Sequence, residues 1–182
     1  MGDFVRNREL ALYPPAVQAG VRLHRLLDTF TDNHPAVRQA MRLLYPAHGK
    51  YAAVLIDLFF DYILAKHWTE FGPESLRSFI DRQYDFLAAR QAYMPERLQE
   101  RLPRMIADDW LMSYTTLQGL DRALGYMKRR VSKPEKLEGA TDSLRTQLDQ
   151  LDRHFLWFFP EAQAYARQQQ AQVLNPRNGA KG

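Results

Sequence analysis

Two acid-bearing pairs at helical spacing stand out as chemistry in this sequence. His24-Arg-Leu-Leu-Asp28 sets an imidazole and a carboxylate four residues apart. At about 100° per residue, positions i and i+4 of a helix leave one face. Gly20, Val21, Leu27 and Thr31 flank them there, small or apolar, so the pair is expected to point inward. Asp57 and Asp61 repeat the spacing within VLIDLFFDYIL, where nearly every other position is apolar, so neither carboxylate has an easy route to water. Burying an ionised carboxylate costs several kcal/mol unless a cation compensates it, and two on one face repel each other. A bound metal ion, or an arginine, resolves both problems. His67 lies one and a half turns beyond Asp61 and could reach the same region, while Asp32 and His34 close the first helical stretch. Asp3, in Gly2-Asp3-Phe4-Val5, is a further carboxylate that means nothing by itself. Carboxylate and imidazole ligands suit Mn²⁺, Fe²⁺, Mg²⁺ or Zn²⁺ and commonly serve hydrolysis at phosphorus. Arg22, Arg25, Arg38 and Arg42 crowd the same first stretch and could hold phosphate oxygens. Spacing alone therefore supports a metal-dependent hydrolase on a helical scaffold and goes no further.

Each feature also has a plainer reading. His24 with Asp28 can be a structural helix pair. Asp57 and Asp61 can be neutralised by Arg22, Arg25 or another cation. Asp32 can cap the helix that starts at Pro35. His48, in a Pro/Gly loop, and His154, beside the aromatic run HFLWFFP, read as structural. Asp108-Asp109 reads as solvated, and Trp110, Tyr114 and Phe155 to Phe159 as core.

The elements that must position these residues are helices punctuated by proline. Pro14-Pro15 opens one that runs to about Thr31, and His34-Pro35 opens a second to about Leu44, broken by Pro46 and Gly49. A long helix covers about Tyr51 to Thr69 and ends before Gly72-Pro73. The next spans about Glu74 to Ala92, with Leu76, Phe79, Ile80, Tyr84 and Leu87 at helical spacing. Pro95 and Pro103 divide a further region, Gly119 precedes a segment from Leu120 to Val131, and a last helix begins near Thr141. Alternating strand patterns are essentially missing. The expectation is an all-α single domain of about seven helices over residues 1–174, with 175–182 a flexible tail.

Composition narrows the classes. With 182 residues the chain suits one domain. Zero cysteines exclude a disulfide scaffold, a thiolate metal site and a cysteine nucleophile. The most apolar run, Tyr51 to Leu64, is too short for a bilayer span and carries two aspartates, so the expected location is the cytoplasm. A formal charge of +4 is a modest excess that suits an acidic partner.

The segments GDFVRN, GVRLHRLLDTFTDNHP (Gly20 to Pro35) and IDLFFDYILAKHW (Ile56 to Trp68) together resemble the acyl carrier protein phosphodiesterase family. The similarity covers most of the chain and weakens after about Val131. Members of that family release 4′-phosphopantetheine from holo acyl carrier protein, and they look like a variation on helical HD-type metal-dependent phosphohydrolases. The resemblance implies a divalent metal site, of Mn²⁺ type with Mg²⁺ or Fe²⁺ as alternates, fed by Asp3, His24, Asp28, Asp61 and Asp57 or His67. It implies a catalytic group of His34, His67 and Asp32, with His34 or His67 protonating the leaving serine oxygen. Arg25, with Arg22, is expected to clamp the phosphate. The implied partner is an acidic carrier protein rather than nucleic acid, docked by Arg38, Arg42, Lys128, Arg129 and Arg130. Lys128 to Arg130 also read as a solvated helix end favoured by the dipole. Family members carry an Asn-aromatic-Leu-Ala-His stretch ahead of the GDF segment, whereas here Met1 leads at once into Gly2-Asp3, so a histidine ligand from that stretch is expected to be lacking. Two rivals stand beside this reading: an HD-type nucleotide phosphohydrolase, and a non-catalytic helical module that docks an acidic partner.

Overall fold

A computed structural model describes residues 5–174. Among them there is no strand, and the helices run α1 (Pro15–Asn33), α2 (Pro35–His48), α3 (Ala52–Lys66), α4 (Trp68–Phe71), α5 (Leu76–Ala88), α6 (Glu96–Ala107), α7 (Trp110–Ser113), α8 (Leu117–Lys128) and α9 (Ala140–Leu174). The all-α expectation holds. Two helices beyond the expected seven are single turns. α4 arises because the chain leaves the helical path at His67 (φ −94°, ψ 13°), and α7 because Asp109 takes a left-handed conformation (φ 47°). The tail expected at 175–182 lies outside the described residues.

The proline rules hold at helix starts and fail at three interior positions. Pro35 pushes His34 into extended backbone (φ −67°, ψ 131°), which ends α1 and opens α2. Pro46, however, lies inside α2, as Pro103 does in α6 and Pro160 in α9. All three prolines are exposed, so the carbonyls they deprive of a donor can reach another partner. For Pro103 that partner is visible: the Gln99 carbonyl accepts from Gln91 Nε2 at 2.8 Å.

The core lies between α2, α3 and α9, with α1 packed chiefly on α9 and α2. Leu44, Leu55, Phe59, Ile63, Leu151 and Phe155 are among its fully buried side chains, each contributing about 1.5–3 kcal/mol by leaving water. The aromatic run near the end of the chain is core as expected at Phe155 and Phe158, while Trp157 between them is exposed. His48 is buried with both ring nitrogens bonded, to the Lys136 carbonyl and Ser143 Oγ at 2.8 Å each, as its structural reading required. α8 approaches α7 so closely that a Cβ on Gly119 would lie 1.7 Å from the Ser113 carbonyl oxygen. No described helix is long and apolar enough to cross a membrane.

Candidate functional site

α3 buries Ala52, Leu55, Ile56, Phe59, Phe60 and Ile63 on one side. Ala53, Asp57 and Asp61, spaced by four, form an exposed stripe on the other. The expectation that these carboxylates lack a route to water is therefore corrected: a helix hydrophobic almost all round still needs one strip of contact with solvent, and the acids occupy it. Asp61 is nonetheless crowded by protein. Desolvation first, and the nearby Asp57 charge second, push its carboxyl from 3.8 up to about 6. Tyr114, half-buried, is raised by burial and by the Asp61 charge, which places its phenol near that carboxylate.

The His24–Asp28 pair forms, with Nε2 3.3 Å from Asp28 Oδ2. It does not face the core as expected. The two side chains are 38% and 50% exposed, because α1 turns only Val21 fully inward. His24 instead lines a cleft of about 590 Å³ between α1 and the far end of α5, with Val17, Gly20, Val21, Phe86, Arg90 and Tyr93.

His34 was expected to act in proton transfer, and its surroundings argue otherwise. The residue is buried, Nδ1 accepts from the Ala36 amide at 3.2 Å, and Nε2 lies 3.1 Å from Glu161 Oε2. Phe30, Trp157 and Phe158 pack against the ring. His34, not Asp32, caps α2; Asp32 is exposed, and its carbonyl accepts from Arg38 Nε. His67 is different. Its ring, 25% exposed, stacks on Phe155, and Nε2 lies 2.7 Å from Asp152 Oδ1 while Nδ1 faces Glu70 at 3.7 Å. A carboxylate at Nε2 orients the imidazole and fixes which nitrogen carries the proton.

Arg25, the expected phosphate clamp, donates to the Val5 carbonyl at 2.7 Å and to Asn7 Oδ1, so it straps the segment ahead of α1 onto that helix. Arg22 is exposed. Among the expected docking residues, Arg38 bonds Asn33 Oδ1 at the start of α2. Arg42, Arg129 and Arg130 are exposed, and Lys128 is half-buried. The turn after α8 folds back on the end of α2: Lys136 Nζ donates to the Ala47 carbonyl and Lys50 Nζ to Ser132 Oγ. Lys50 and Lys136 thereby sit at the turn that follows Arg129 and Arg130 in the chain.

Asp3 lies outside the described residues. Among the described ones, no group of three or more His, Asp or Glu side chains is close enough to hold a metal ion. The donors come as separate pairs, His24 with Asp28 on α1 and Asp57 with Asp61 on α3, and α1 packs mainly on α9 and α2. The expected pooling of both pairs around one cation is not formed by these residues. Asp108-Asp109 is also not simply solvated. Asp109 Oδ2 accepts from Arg77 Nη1 at 2.6 Å, and Arg77 also grips Asp81. The sequence reading missed Asp152 and Glu161, nine residues apart on α9, because their partners lie 85 and 127 positions away. It also missed Phe86, Arg90 and Tyr93, which carry no motif.

A family model described as acyl carrier protein phosphodiesterase matches residues 1–162. A Pectobacterium atrosepticum protein of that name is 30% identical over 93% of this chain and 89% of its own length. Namesakes from Photorhabdus laumondii and Serratia proteamaculans are 31% and 29% identical, over 88% and 93% of this chain and 81% and 89% of theirs. No solved structure matches.

Proposed function

The chain belongs to the acyl carrier protein phosphodiesterase family, and from that premise we propose that it hydrolyses holo acyl carrier protein to apo carrier protein and 4′-phosphopantetheine in the cytoplasm. The observation that carries this is the family match across residues 1–162, which spans every candidate site residue. Water adds its oxygen to phosphorus, the bond from phosphorus to the carrier's serine oxygen breaks, and that oxygen leaves with a proton.

The residues divide the work as follows. His67 is the imidazole placed to move a proton: Asp152 holds Nε2, which leaves Nδ1 to take a proton up and release it to the serine oxygen. His34 and Glu161 instead fix the α1–α2 corner against α9. Arg25 keeps the segment that begins at Val5 on α1, beside His24. The exposed basic residues Arg42, Arg129 and Arg130, with Lys50 and Lys136, attract an acidic carrier protein and raise its encounter rate.

We extend the proposal to a divalent cation, Mn²⁺ with Mg²⁺ or Fe²⁺ as alternates. The support is the Asp57–Asp61 stripe, two like charges whose repulsion a cation would relieve; His24 and Asp28 supply a second donor pair. When bound, such an ion neutralises charge on the phosphate oxygens. Because the described donors do not close a three-ligand set, no step above depends on it.

The test incubates the protein with holo carrier protein, with Mn²⁺ or with EDTA, and follows the carrier by mass spectrometry. Loss of the prosthetic group supports the proposal. An unchanged carrier alongside turnover of free nucleotides would transfer the chain to nucleotide hydrolysis. Binding without any turnover would make it a docking module.

A further inference from the structure

Two helices that hold none of the candidate catalytic residues carry one pattern twice. Arg97, Arg101 and Arg104 stand at i, i+4 and i+7 on α6, and Arg122, Tyr126 and Arg129 do so on α8. At about 100° per residue, each set falls within about 60° of its helix and forms a single stripe. The α8 stripe points away from Leu120 and Leu124, which that helix buries, and the α6 stripe stands apart from buried Leu102. Tyr126 joins the two. The Arg129 guanidinium lies over its ring at 5.4 Å, and its phenol oxygen faces Arg104. Of the five arginines, only Arg104 is ion-paired among the described residues, to Asp108 Oδ2 at 3.1 Å. Glu96 and Glu100 fall outside the α6 stripe, and Asp121 on α8 accepts from the Thr141 hydroxyl. The two stripes therefore set five guanidiniums against one carboxylate, around a tyrosine that is 46% exposed.

This ridge is placed to serve the reaction proposed above. Tyr114, just ahead of α8, lies near Asp61, and Ser132, just past α8, bonds the hydroxyl of Tyr51, just ahead of α3. α8 thus runs alongside α3 in the opposite sense, beside the helix that carries Asp57 and Asp61 and ends at His67. We infer that the α6–α8 ridge is the surface on which the carrier protein docks, taking an acidic helix along the two arginine stripes with Tyr126 at their centre; the inference rests on the reading of the chain as a carrier protein phosphodiesterase. Charge complementarity selects this occupant. Carboxylates three and four residues apart on a helix recur about every 5–6 Å along its axis, which is also the spacing of the arginines. Guanidinium forks match carboxylates in pairs, and tyrosine and arginine supply much of the binding energy where proteins meet. Lys50 and Lys136 draw the carrier in from a distance; the ridge holds it once bound and fixes where its serine stands.

The test compares Arg97→Glu and Arg122→Glu with Arg167→Glu, an exposed residue whose reversal changes net charge equally. Arg167 lies about 39 Å along α9 from Thr141, where that helix meets α8. Steady-state kinetics on holo carrier protein are paired with titration of apo carrier protein. Each ridge variant should raise KM about fivefold or more with kcat unchanged, and weaken apo carrier binding by the same factor. Arg167→Glu should match wild type in both. Tyr126→Ala keeps every charge, should likewise weaken apo carrier binding, and carries the test if the reversals fail to fold. Wild-type KM and affinity in the ridge variants would overturn the inference. So would an equal loss in Arg167→Glu, which would leave only steering by net charge. Ridge variants that lose affinity for an RNA oligonucleotide but keep it for apo carrier protein would give the surface to nucleic acid instead. A wild-type protein that binds apo carrier through Arg122 yet never cleaves the holo form would sink the enzymatic reading and keep the docking surface. Cleavage with a KM indifferent to Arg97, Arg122 and Tyr126 would do the reverse.

Discussion

Asp61→Asn should make the metal-free protein more stable at neutral pH, an unusual outcome for a polar residue on a functional face. The Asp61 carboxyl, raised from 3.8 to about 6 by desolvation and by Asp57, is penalised in the folded state whenever it is ionised. At about 1.4 kcal/mol per pH unit, an undiminished penalty would approach 3 kcal/mol. Solvent reaches the residue, however, and screening there reduces the effect to about 1–1.5 kcal/mol. The sign follows from proton binding. Between the unfolded and folded values the native state holds more protons than the unfolded one, so this group's contribution becomes less unfavourable as pH falls from about 6 toward 3.8, and the penalty is fully present above about 6. The assay is thermal melting of wild type and Asp61→Asn in EDTA from pH 7.5 down to 4.5. The variant should melt about 2–6 °C higher at pH 7.5, with the gap narrowing on acidification. Comparing the two proteins cancels every titration they share. Mn²⁺ should then raise the melting temperature of wild type and not of the variant, since a ligand bound only by the native state stabilises by mass action. An Asp61→Asn protein that melts lower at pH 7.5 in EDTA, or a gap that does not change with pH, would refute the reasoning.

Asp152→Asn should lower kcat on holo carrier protein by about tenfold or more with KM little changed, since the amide no longer fixes the His67 tautomer; a change confined to KM would assign the pair to binding. Gly119→Ala should destabilise the protein by about 1–3 kcal/mol in urea melts, because its methyl would meet the Ser113 carbonyl and the two backbones must separate. Arg129→Glu with Arg130→Glu should reduce kcat/KM for an acidic carrier protein at low salt while leaving kcat intact, and the loss should fade as ionic strength rises; stopped-flow association at several salt concentrations checks it.

What was legible in the sequence is what short-range chemistry determines. The i, i+4 spacing placed His24 with Asp28 on one face, and that pair forms. Pro35 set the α1–α2 corner, and the apolar run after Tyr51 became the central helix. Direction was the weak point. Periodicity says which residues share a face, but whether a face meets core or solvent depends on how many neighbours the helix acquires. α3 is apolar enough to look enclosed, yet α2 and α9 cover it from one side and leave Asp57 and Asp61 in contact with water.

α9 decides the rest, and nothing local could have announced it. Thirty-five residues long, it spans about 52 Å at 1.5 Å per residue and packs against α1, α2, α3 and α8. Asp152 takes the imidazole at the α3–α4 break, and Glu161 takes the one at the α1–α2 corner. One helix therefore sets the orientation of both histidines and separates their tasks, the buried one capping a helix and the partly exposed one held at Nε2 by Asp152 with Nδ1 3.7 Å from Glu70. A substitution that shifted α9 along its axis would disturb both at once, although neither histidine belongs to it. The two carboxylates give that coupling its physical basis: both imidazoles are bonded to the same helix, nine residues apart.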